Sequence, residues 1–145
     1  MSKRTTFLTA ALVASMTLAA AARAADHIAV IEHPTDEKTI DLGAKGDSVG
    51  DLLVFANPLF DSANKTQVGT DQGSCVRTVA GKSWECLWTN TLKDGNIMVE
   101  GPFSDTAKDD VFAVIGGTGK YAGARGTMKL HIRDEKNYDF VFDLQ

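Results

Sequence analysis

From residue 27 onward, short runs of alternating or continuous apolar residues are separated by clusters of Gly, Asp, Asn, Lys and Thr. A period of two with regular turn signals is the mark of half-buried strands. Read this way, strands are expected at 27–32, 50–57, 74–79, 83–92, 96–103, 110–115, 125–133 and 137–144. The polar stretches 34–47 and 61–73 carry no such alternation and read as loops. No amphipathic helical pattern follows residue 25, so the expected fold is all-β: a single eight-stranded antiparallel β-barrel or sandwich. A barrel of eight strands either fills its interior with side chains or holds one small ligand there.

The run VFAVIGGTGKYAGARG, residues 111–126, is the densest local signal. Five apolar residues from Val111 to Ile115 form a strand. Gly116, Gly117 and Gly119 then supply a turn with Lys120 at its tip, and a return strand begins near Arg125 and Gly126. A phosphate-cradling loop is excluded by spacing. Val114 stands where the motif needs its first glycine, and Tyr121 replaces the Ser or Thr that follows its lysine.

The N-terminus reads differently. Lys3 and Arg4 precede an apolar, Ala- and Leu-rich run over residues 7–22, and Ala22-Arg23-Ala24 places small residues where a signal peptidase reads them. The run is shorter than the roughly 20 residues a span needs, so a cleaved signal at 1–24 is expected rather than an anchor. Residues 25–145 then form one barrel domain, a size that suits a single core. Without Lys3, Arg4 and Arg23 the chain keeps 12 basic against 19 acidic side chains, a formal charge of −7. An acidic chain without a basic patch is a poor partner for nucleic acid or an anionic membrane. No lipid-attachment cysteine follows the signal, which points to a periplasm or the medium.

Cys75 and Cys86 are the only cysteines, and that compartment is oxidising. They flank Ala80-Gly81, and a hairpin symmetric about that pair sets Cys75 opposite Cys86. A structural disulfide with no free thiol is one expectation. A bulge at Gly81 or the wrong pairing parity would break it. If the two cysteines face inward, Trp84, Trp88 and Asn90 face inward too, because side chains alternate along a strand. Elsewhere the polar residues suggest little chemistry. His27, His33 and His131 are scattered without metal-ligand spacing, and no nucleophile–base pair is visible.

Several ordered blocks resemble one family. Val114-Ile115-Gly116-Gly117-Thr118-Gly119-Lys120-Tyr121-Ala122-Gly123-Ala124-Arg125-Gly126 is similar to the late-strand signature of the allene oxide cyclases and dirigent proteins. Gly50-Asp51 through Asn57-Pro58-Leu59-Phe60, Val68-Gly69, Gly73, Cys75-Val76, Gly95, Val99, Gly101-Pro102 and the closing run Tyr138 to Leu144 fit the same pattern. The resemblance implies an allene oxide cyclase/dirigent-like β-barrel, a homotrimer, no cofactor, and a small hydrophobic or phenolic molecule whose cyclisation or coupling the barrel steers. It implies Glu32 and Asn57 as the catalytic residues, the first stabilising developing positive charge, the second holding a water or polar ligand group. Cys75 falls where the cyclases carry a cysteine beside the substrate; with Phe55, Trp84 and Trp88 it would shape the pocket. Pro34 stands in place of a family asparagine, and Phe103 to Ala107 lacks the tyrosine the cyclases carry after Gly-Pro. Such chemistry needs a dry, shaped cavity more than acid–base machinery. Two other uses of the same barrel are a carrier that returns its ligand unchanged and a solid-packed interaction domain.

Overall fold

A computed structural model describes residues 26–145. The expected signal segment and its cleavage site after Ala24 lie outside the described residues. Nine strands follow in order: β1 (Asp26–Glu32), β2 (Glu37–Ile40), β3 (Leu52–Asp61), β4 (Gln67–Val79), β5 (Ser83–Leu92), β6 (Gly95–Ser104), β7 (Asp109–Gly117), β8 (Gly126–Asp134) and β9 (Asn137–Leu144). Consecutive strands from β2 to β9 pair antiparallel, β1 lies on β9, and β1 also pairs with β3. That last pairing closes the sheet into an eight-stranded barrel, as the spacing of turns predicts.

β2 is the ninth strand, and its position explains it. β1 runs along the far half of β3, with Glu32 opposite Leu59, and β2 runs along the near half, with Glu37 opposite Phe55. The two are one stave of the barrel, broken where His33 to Asp36 pass Ala56 to Pro58. One more residue on the outer strand than on its partner gives the chain the character of a bulge. Pro58 sits in the middle of β3 without penalty. Its carbonyl accepts the His33 N–H at 3.1 Å, so its absent N–H would have pointed at the break.

Both stretches expected to be loops are partly strand. Residues 34–47 contain β2, and 61–73 contain the first half of β4. The alternation is missing there because the inward positions of β4 are Gly69, Asp71 and Gly73, none of them apolar. Gly73 is required: a Cβ on it would lie 2.3 Å from the Cβ of Trp88 on β5.

The interior divides into two halves. At the end where β5, β7 and β9 finish, Ile97, Val99, Val114, Met128, Phe142 and Leu144 pack solidly. The glycine turn after β7 forms a single 3-10 turn, Gly119–Tyr121, that folds over this end. Lys120 N–H donates to the Asp94 carbonyl at 2.8 Å, Thr118 N–H to that of Asn96 at 2.9 Å, and Tyr121 is buried. The run that dominates the sequence is therefore a plug. The other half of the barrel is not filled.

Candidate functional site

The inward face of the β4–β5 hairpin is a ladder of pairs: Arg77 with Trp84, Cys75 with Cys86, Gly73 with Trp88, Asp71 with Asn90. The symmetric register holds through all four, and the irregularity lies beyond it, between Arg77 and Val79. Cys75 and Cys86 form the disulfide, and the described residues hold no free thiol. Trp84, Cys86, Trp88 and Asn90 are all buried, as the alternation predicts.

A cavity of about 140 Å³, partly open to solvent, occupies the unfilled half. Its body is apolar: Phe55, Trp88, Phe103, Phe140 and the Cys75–Cys86 disulfide. Trp88 is the floor. Its ring meets Phe112 edge-on at 4.5 Å, Phe55 at 6.0 Å and Phe140 at 5.9 Å. Contacts of this kind contribute about 0.5–1.5 kcal/mol each beyond burial, and together they lock the indole in place.

One side of the cavity is acidic. Glu32 and Asp71, 3 % and 1 % exposed, both line it, and Glu37 and Tyr138 stand beside them. No cation faces this group on the cavity wall. Burial pushes the Glu32 carboxyl well above its ordinary range, and the charge of Asp71 adds to the rise. Burial likewise raises Asp71, to about 6. Asp71 Oδ1 accepts the Asn57 backbone N–H at 3.2 Å, while no N–H or hydroxyl reaches the buried Oδ2. Glu32 and Asp71 interact through a side-chain hydrogen bond that raises Glu32 and lowers Asp71, so a proton shared by the pair is favoured on Glu32 and the charge on Asp71. Glu37 belongs to an exposed strand, yet its carboxyl is partly desolvated at the mouth, which raises it. Tyr138 is raised by burial and then by the charges of Glu37 and Glu32.

Asn57 holds this group together from behind. Its Nδ2 donates to Glu32 Oε1 at 2.7 Å and to Glu37 Oε1 at 3.3 Å. Its Oδ1 accepts the N–H groups of Thr35 and Asp36 at 3.0 and 2.9 Å. An amide side chain offers two donor hydrogens and two lone pairs, and all four are used by the chain itself. Asn57 thus bridges the broken stave and orients both glutamates, with no capacity left for a water.

Of the residues the sequence singled out, the cavity wall brings together Glu32, Phe55, Cys75 and Trp88. Asn57 lies one layer behind. Trp84 is off the wall: the Arg77 guanidinium lies 3.7 Å over its ring, and its Nε1 donates to Asp105 Oδ1 at 3.0 Å. Arg77 also pairs with Asp47 at 2.7 Å, clasping two loops over the hairpin. Sequence reading missed Asp71, Glu37 and Tyr138. Counting back in twos from Cys75 would have found Asp71.

Comparison with known proteins agrees with this architecture. A pyocyanin demethylase superposes with a TM-score of 0.74 at 25% identity, covering 83% of this chain and 100% of its own. A pterocarpan synthase dirigent protein gives 0.69 at 15% identity over 83% and 92%. The Diels-Alderase AbmU from Streptomyces koyangensis gives 0.64 at 16% identity, over 82% of this chain and 63% of its own. At such identities the last two show a shared fold. The family model described as allene oxide cyclase matches residues 27–139, from the first strand of the barrel into the last, and the chain belongs to that family.

Proposed function

We propose that this barrel takes one small hydrophobic or phenolic molecule into its cavity and steers its cyclisation or coupling without a cofactor. The observation that carries the reading is a pair of buried, mutually hydrogen-bonded carboxyls, Glu32 and Asp71, set into the wall of an otherwise aromatic, partly open cavity. A cavity of about 140 Å³ is close to the ~150 Å³ that takes up benzene in another protein, so it encloses one ring and leaves larger substituents at the mouth. On ligand entry Glu32 turns its one proton from Asp71 to a reacting oxygen. The carbon–oxygen bond then breaks with its electron pair staying on that oxygen, which takes the proton. The charge on Asp71 stabilises the carbon cation that develops. Both act in a site from which most water is excluded, where fixed charges count for more. Asn57 is a positioning residue in this scheme. The neighbours named as a dirigent protein and Diels-Alderases support the reaction class, and the pyocyanin demethylase supports an aromatic ligand.

The test is a panel of small phenols and epoxides incubated with the protein and with Glu32→Gln, products being resolved on a chiral column. Wild type is expected to bias one product, and Glu32→Gln to lose that bias while keeping fold and binding. Ligands bound and recovered unchanged would make the barrel a carrier instead. We further propose export after cleavage at Ala24, on the signal pattern of residues 1–24 and the disulfide.

A further inference from the structure

We infer that the molecule this cavity selects is an organic cation: an apolar body of about one ring, bearing a positive nitrogen that has no N–H. That choice of ligand rests on the cavity being the binding site, as proposed above. Elsewhere in the structure acidic side chains meet cations of the chain: Asp47 and Asp105 share Arg77, Asp109 takes Lys129 and Asp139 takes Arg133. The cavity group does not. Among the described residues no Lys, Arg or His pairs with Glu32, Glu37 or Asp71. The charges that bear on Glu32 are those of Asp71 and Glu37, and the charge that bears on Asp71 is that of Glu37. The same negative field reaches Tyr138, which stands opposite Glu32 on β9 and feels Glu37 and Glu32. Asp71 is 1 % exposed, and a charge so buried is ordinarily paired. The chain provides no counter-ion, and these side chains border a cavity with room for a guest, so the counter-ion comes with the guest.

The rest of the wall decides which kind of cation. Rings from four strands surround the space: Phe55 on β3, Trp88 on β5, Phe103 on β6, and Tyr138 and Phe140 on β9. Aromatic rings attract a cation through the negative potential of their faces, most strongly when it has shed its water. An inorganic ion fits poorly. Among the described residues no three His, Cys, Asp or Glu side chains are placed to hold one, and rings do not replace its shell of oxygen ligands. A primary ammonium fits little better, because its three N–H groups need three acceptors. Asn57 already occupies Oε1 of both Glu32 and Glu37. A quaternary or N-alkylated nitrogen asks for no acceptor and buries its alkyl groups against the rings. A permanent cation also resembles the carbon cation of the reaction proposed above, and a site complementary to the second binds the first.

Phenyltrimethylammonium and tert-butylbenzene are isosteres that differ in charge. Each is titrated into 15N-labelled protein, and binding is read from the backbone amide shifts of the cavity wall. The cation is expected to bind about tenfold more tightly than the hydrocarbon. Glu37→Gln, a change at the mouth, is expected to weaken the cation about threefold and the hydrocarbon hardly at all. Asp71→Asn removes the buried charge and is expected to weaken the cation more than Glu37→Gln does. Glu85→Gln, on the exposed outer face of β5, is expected to change neither. If the hydrocarbon binds as tightly as the cation, or Glu85→Gln costs the cation as much as Glu37→Gln, the charge selection is wrong and the cavity stands as a binding site. If neither probe shifts any cavity amide, the binding reading of the cavity falls with it.

Discussion

Asn57 Nδ2 donates to Glu32 Oε1 at 2.7 Å, and through that bond the break in the first stave and the acidic wall of the cavity become one structure. The same amide accepts the N–H groups of Thr35 and Asp36, so the residues that interrupt the barrel are held by the residue that orients its carboxyl. A bulge beside a site is a common way to aim a side chain.

Asn57→Ala removes four hydrogen bonds at once, one of them to a buried carboxyl. The expected loss is about 3 kcal/mol, because each buried group left unpaired costs on the order of 1–3 kcal/mol. Urea unfolding monitored by tryptophan fluorescence measures it. A loss below about 1 kcal/mol would mean the stave holds without the amide.

The carboxyl pair makes stability pH-dependent in an unusual direction. Asp71 is raised in the folded protein to about 6 from an ordinary 3.8, so between those values the folded state binds more protons than the unfolded one. Its contribution is present in full below the lower value and is lost as pH rises through the upper one. Asp71→Asn is therefore expected to gain stability relative to wild type as pH rises from about 4 to about 7. Unfolding curves of both proteins at four pH values check the sign; a relative loss over that range would contradict it.

Reducing the Cys75–Cys86 disulfide, which spans a sequence separation of 11, is expected to cost about 3 kcal/mol by the loop-entropy relation. A thiol reagent should label no site before reduction and two after it. Because the bridge forms part of the cavity wall, reduction should also weaken aromatic probes. Unchanged probe affinity would place the ligand elsewhere.

Export predicts a defined N-terminus. Expressed in a bacterium with its own leader, the protein recovered from the periplasm or medium should have an intact mass that begins at Ala25 and includes one disulfide. A full-length product retained in the cytoplasm would contradict it.

Much of this was legible in the sequence. Eight of the nine strands follow from apolar alternation, and the register of the β4–β5 hairpin follows from a symmetric turn, which sets both cysteines and both tryptophans inward. What escaped did so for a common reason. Alternation reveals a strand only where its inner positions are apolar, and the inner positions of β4 near the site are Gly69, Asp71 and Gly73. β2 is four residues long, with Glu37, Lys38 and Thr39 exposed, and has no core face to betray it. The acidic wall was hidden because its inward residues are carboxyls, which apolar alternation does not register. The glycine-rich run from 111 to 126 was conspicuous for the opposite reason: it plugs the packed end, where fold alone dictates the residues.

The central claim is that Glu32 and Asp71 share a proton inside the cavity at neutral pH. Carbon-13 titration of the side-chain carboxyls tests it most directly, with Glu32→Gln and Asp71→Asn to assign the resonances. The account predicts that Asp71 titrates near 6 and that Glu32 is still protonated at that pH. Two carboxyls that both ionise near their ordinary values of about 4 would contradict it, and with it the proton-donor role given to Glu32.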